Sequence, residues 1–237
     1  MRLWWVTLAV AGMIVTCMPP SAAVADELRS ALDASLAAED LPQLVSIIRN
    51  HKDPGDQAEI TDWLKEKVDT GQTPDSFVTV MTQLSLARKN VDDALLYFSY
   101  YNALISIDSG ECSDPTSGGS LLEASMFLGA WTQSPNITLE QKQAAVDHAI
   151  KLEAATSSAR KRDQSLCTAG LTAYAKALHI PTSNSAQAEH HGAQEAQQEL
   201  LKSSLYADDP LWRKRRAETL PQIPTLLLIM MGIQKPH

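Results

Sequence analysis

The chain has 237 residues, with 28 acidic against 20 basic side chains and a formal net charge of −8. At 44% hydrophobic residues, 10 glycines and 3 cysteines, it is not collagenous, disulfide-dense or intrinsically disordered. The acidic balance excludes a general nucleic-acid binder, which would carry a basic excess or stripe.

Residues 1–25 have the layout of an export signal. Arg2 supplies the early positive charge and Leu3 to Val15 is apolar apart from Thr7 and Gly12. Pro19, Pro20 and Ser21 interrupt any helix, and Ala23-Val24-Ala25 gives the small-x-small pattern accepted by signal peptidases. The apolar run is shorter than the roughly 20 residues of a spanning helix. Cleavage is therefore expected before Asp26, leaving 26–237 as a single domain in the bacterial periplasm or outside the cell. Ile14-Val15-Thr16-Cys17 is similar to a lipoprotein box. Lipidation at Cys17 is the second processing route, and it would tie the protein to a membrane.

The remaining sequence reads as helix after helix. Asp53-Pro54-Gly55, Thr73-Pro74, Asp114-Pro115, Ser134-Pro135, His179-Ile180-Pro181 and Asp209-Pro210 mark boundaries, because proline cannot continue a helix. Thr73 before Pro74 predicts an N-cap. Ser120 with Glu123 and Thr138 with Gln141 predict capping boxes. Ile60, Trp63, Leu64 and Val68 form a one-sided helical stripe, as do Ala145, Ala149 and Leu152. From Val91 to Ile107 the pattern is apolar almost all round, which predicts a central helix. Residues 181–198 hold no large apolar side chain and predict a solvated helix or mobile linker. Leu226 to Ile233 predicts a terminal helix docked into the core. Strand signals are poor. The expected fold is an all-α antiparallel array of about nine or ten helices, with a short irregular helical-repeat solenoid as its finer form.

Ala94 and Phe98, with Asn90-Val91 at the preceding turn, place a small residue and an aromatic at the spacing of a paired helix. Val78 to Ile107 thereby resembles a helical unit of the tetratricopeptide or Sel1-like families. The resemblance implies an antiparallel helical array that binds protein partners.

Once residues 1–25 are removed, Cys112 and Cys167 remain. An even pair in an exported chain predicts one disulfide. No metal site or cofactor is expected. The pair of cysteines does not make a closed zinc shell. Adjacent His190 and His191, with Glu195 four residues after the latter, lack a third ligand. A calcium loop through Asp108, Glu111 and Asp114 has too few oxygens, with Gly110 and Cys112 between them.

Ala103 to Gly110, reading ALISIDSG, resembles the lytic transglycosylase signature, in which a helix ends in Glu-Ser-Gly. Asp108 stands in the position of the general acid, with Ser109 and Gly110 matching. That resemblance implies an active or degenerate enzyme that cleaves cell-wall glycan. Tyr97, Tyr100 and Tyr101, beside Phe98, concentrate aromatics on one helix and are the candidate partner surface. The runs Arg160-Lys161-Arg162 and Arg213-Lys214-Arg215-Arg216 read first as solvated faces; the alternatives are partners of acidic neighbours or, with Trp212 beside the second run, a contact for an anionic membrane or glycan. Nucleophile elbows, phosphate loops and HExxH motifs are missing from the sequence. The leading reading is an exported, non-catalytic helical binding or scaffold protein that contacts a partner protein of the cell envelope. The alternative is the glycan-cleaving enzyme acting through Asp108.

Overall fold

A computed structural model describes residues 22–114, 116–119, 122, 125, 129–160, 166–167, 207 and 209–233. Cys17, Ser120, Glu123, Lys161, Arg162, His179, the stretch 181–198 and the export segment before Ala22 lie outside the described residues. The described residues are helical, and none of their helices is long and apolar enough to cross a membrane.

The chain divides into two compact units, Met1–Ile60 and Thr61–His237. In the first, α1 (Ala22–Ala37) is followed by α2 (Leu41–Asn50) and the start of α3 (Pro54–Asp69). Leu28, Leu32 and Leu44 are buried. Proline opens α3, where its missing N–H is not needed. The amide of Gln57 donates to the carbonyls of Ile48 and His51, and His51 Nδ1 lies 2.9 Å from Asp56. These bonds close the corner from α2 into α3. Arg29 pairs with Glu59.

The second unit begins within α3, whose Trp63, Leu64 and Val68 are fully buried, as the stripe predicts. Gly71 ends the helix at φ +69°. A Cβ there would sit 3.0 Å from both Cβ and O of Thr156, so glycine answers two demands at once. Then come α4 (Ser76–Ala87) and α5 (Val91–Asp108), with a short 3₁₀ turn at Ser109–Glu111. Thr73 is not the N-cap of α4. Asp75 holds that position, and Pro74 lies in the preceding turn with its carbonyl accepting from Phe77 N. Next are a 3₁₀ turn at Ala130–Gln133 and α6 (Leu139–Thr156), opened by the predicted Thr138–Gln141 capping box. The described chain closes with α7 (Asp209–Thr219), the turn Leu220–Gln222 and α8 (Ile223–Met230).

Helix α5 is central. Leu95, Phe98, Ala103 and Ile107 join Ala145 and Val146 of α6 and Ile223, Leu227 and Met231 of the C-terminal segment in one core. The terminal helix docks through Ile223, Leu227 and Met230, all buried. Buried Lys142 of α6 donates from Nζ to the carbonyl of Met231 at 2.8 Å, which satisfies an orphan acceptor at the end of α8.

One local structure occurs twice, 50 residues apart. Ser35-Leu36-Ala37 precedes Asp40-Leu41, and Ser85-Leu86-Ala87 precedes Asn90-Val91. In each turn the middle residue is left-handed, Glu39 at φ 55° and Lys89 at φ 60°. Asp40 N donates to Ser35 O at 3.0 Å, and Asn90 N to Ser85 O at 2.9 Å. Each cap side chain accepts from the third residue onward, Gln43 N at 3.0 Å and Asp93 N at 3.2 Å. Leu44 and Ala94, four residues after the caps, are both fully buried. Both helix pairs are thus closed by one turn design. Replacing Asn90 with Ala removes the cap bond and should cost about 1 kcal/mol, read as a lower urea midpoint.

Candidate functional site

The charged centre of the second unit lies where α5 ends. Asp108 and Arg160 form a bidentate pair, with Nε to Oδ2 at 3.1 Å and Nη2 to Oδ1 at 3.0 Å. Arg160 Nη2 also reaches Glu153 Oε1 at 3.1 Å, and Nη1 donates to Thr156 Oγ1 at 3.0 Å. From α7, Arg216 Nη2 donates to the same Glu153 oxygen at 2.7 Å. The Arg160 and Glu153 side chains are only 7% and 2% exposed. Two arginines therefore balance two carboxylates in a largely dry setting, where an unpaired charge is costly.

Burial pushes the Asp108 carboxyl above its ordinary range, against the pull of Arg160. Burial also works against the Arg160 charge, but Asp108 and Glu153 outweigh it and hold the guanidinium protonated. Tyr100 OH lies 2.7 Å from Thr156 Oγ1 beside this network, and burial raises its phenol. Both Asp108 oxygens are occupied by one guanidinium. A proton donor at this place would first have to give up that pair.

The neighbouring loop is clamped from two sides. Cys112 and Cys167 form a disulfide, packed with Ile105 and Leu166 and flanked by Tyr101. Arg215 Nη1 donates to Gly110 O at 3.1 Å and to Cys112 O at 2.7 Å. The Trp212 ring lies against Gly110, where a Cβ would sit 3.2 Å from ring atom Cζ3. Glycine therefore lets the indole approach the backbone.

The aromatic cluster is mostly interior. Tyr97 and Tyr100 are buried, so their rings present no open face to a partner; Tyr101 is half-buried. The Tyr97 hydroxyl donates to Asp69 Oδ1 at 3.0 Å and accepts from Lys65 Nζ at 2.9 Å. Lys65 also pairs with Asp69 and lies 5.6 Å from the Tyr97 ring centre. Burial raises the Tyr97 phenol. Phe98 meets Trp131 edge to face, with centroids 6.0 Å apart. The hydroxyls explain how tyrosines occupy a core face: each polar tip finds a partner.

The sequence reading of the basic runs as solvated faces holds for exposed Arg213 and Lys214 but not for Arg160, Arg215 and Arg216. Those three turn inward, to carboxylates or carbonyls, because the acceptors at the end of α5 and Glu153 of α6 need donors. Glu153 was not anticipated as part of any site. Its signal was positional: Lys142, Ala145, Val146, Ala149, Glu153 and Thr156 are the buried face of α6. A carboxylate at a core position of that stripe requires a cation opposite it. Among the described residues no group of three or more His, Cys, Asp or Glu is placed to hold a metal.

No protein-family model matches this chain, and no curated protein or solved structure matches it either.

Proposed function

We propose that this chain is an exported, non-catalytic helical binding or scaffold protein of the bacterial cell envelope that contacts a protein partner. The finer architecture we propose is a short helical-repeat array of about nine or ten helices, of the tetratricopeptide or Sel1-like type. The observation that carries this reading is the shared turn of α1–α2 and α4–α5, with its repeated Ser-Leu-Ala and Asx cap. Repeated helical pairs serve as extended recognition surfaces. The closed Asp108–Arg160 pair also favours binding over acid catalysis.

Export fits the chemistry of α1. Cleavage before Asp26 would start the helix at Asp26-Glu27, two exposed carboxylates placed to offset the helix dipole and the new amino terminus. Peptidase action would have to precede closure of the first turn, since Ala22–Ala25 belong to α1.

Two measurements test the role. Incubation of the mature protein with purified peptidoglycan should release no soluble glycan, from wild type or Asp108→Asn alike. Crosslinking in intact cells should recover one defined envelope protein in stoichiometric yield. Glycan release that is lost in Asp108→Asn would overturn the binding reading in favour of the enzyme. Failure to enrich any partner would also overturn it.

A further inference from the structure

We propose that α7 is a displaceable strap, latched by arginines over an acceptor site at the end of α5 that takes a cationic side chain from a partner. The inference rests on the binding-protein reading and adds where, and by what chemistry, a partner engages. Helix α7 has no buried residue among Asp209–Thr219. Its hold on the body includes half-buried Trp212, packed against the core and against Gly110, Arg215 on the carbonyls of Gly110 and Cys112, and Arg216 on Glu153. Arg216 also lies 5.7 Å from the Trp212 ring centre. The flanking chain is fastened differently. Buried Ala207 donates its amide to Glu111 O at 2.7 Å, and α8 buries Ile223, Leu227 and Met230. A helix with no buried residue of its own, lying between two fixed ends, can open without the rest, since local opening favours segments with few buried apolar contacts.

Opening changes the charge of the site. With Arg216 seated, two arginines match Asp108 and Glu153. Without it, Arg160 alone faces both carboxylates, and one net negative charge remains beside two free backbone carbonyls. That is a receptor for a guanidinium group, the group that Arg215 and Arg216 now supply. The strap arginines are placeholders for a basic side chain of the partner.

Hydrogen–deuterium exchange on the full, oxidised chain tests this. In wild type, amides of 209–219 should exchange about tenfold or more faster than those of 223–230. Arg216→Gln should accelerate 209–219 further and leave 223–230 unchanged. An acetylated tetra-arginine peptide should also accelerate 209–219, and a tetra-glutamate peptide should not. Equal exchange of the two segments in wild type, or equal acceleration of both in the variant, would overturn the strap. Indifference to the arginine peptide would overturn the acceptor site. None of these outcomes depends on recovering a natural partner, so failure of the binding reading remains distinguishable.

Discussion

Arg160→Met should destabilise the protein by about 3–5 kcal/mol, the largest single-residue effect expected here. The substitution keeps the side-chain stem and removes five donated bonds. It leaves Asp108 without its bidentate partner and Glu153 with Arg216 alone, in surroundings where these carboxylates are 15% and 2% exposed. Arg160→Lys keeps the charge but loses the planar fork, and should lose less. Replacing Asp108, Glu153 and Arg160 together with apolar residues of similar volume should recover most of the stability, because the desolvation cost leaves with the charges. Urea unfolding of the oxidised protein reads all three. A full loss in the triple variant equal to that of Arg160→Met would show that packing, not charge balance, sets the cost.

Loss of the Cys112–Cys167 disulfide should cost about 4 kcal/mol by the loop-entropy relation for a closure of 55 residues. Cys112 and Cys167 are both almost completely buried, so reduction under native conditions should be slow and accelerate in denaturant. The Cys112→Ser/Cys167→Ser variant avoids that barrier and gives the equilibrium difference by urea unfolding. An unchanged midpoint would show that Arg215 and the Asp108 network hold the loop without the bond. The two effects are not expected to add. Both tethers join the end of α5 to the chain that follows α6, and neighbouring tethers share the entropy that either one removes.

Much of the helical fold was legible from spacing. The stripe at Ile60, Trp63, Leu64 and Val68 is the buried face of α3, and the run from Val91 is the buried α5. Thr138 and Gln141 form their box because capping is local, involving only backbone amides within one turn. The pairing of Cys112 with Cys167 also followed, since no third cysteine remains beyond Cys17. The site was less legible because its partners come from distant segments. Arg160 joins Asp108 across 52 positions, and Arg216 joins Glu153 across 63. A basic run has no local sign that separates inward arginines from solvated ones; the acceptor that decides is elsewhere in the chain. The tyrosines show the same limit. Their spacing predicts one helix, but only Asp69, Lys65 and Thr156 decide that Tyr97 and Tyr100 point inward. The repeated turn was hidden for another reason. Its geometry depends on a left-handed residue that is Glu39 in one copy and Lys89 in the other, where glycine would have announced it.

The most direct test of the account is the intact mass of the unreduced protein recovered from the periplasmic fraction of the cell. The proposed export predicts one species that begins at Asp26, carries no lipid, and takes up alkylating reagent only after reduction. A species still starting at Met1, a diacylated species beginning at Cys17, or alkylation of both Cys112 and Cys167 without reduction would contradict it.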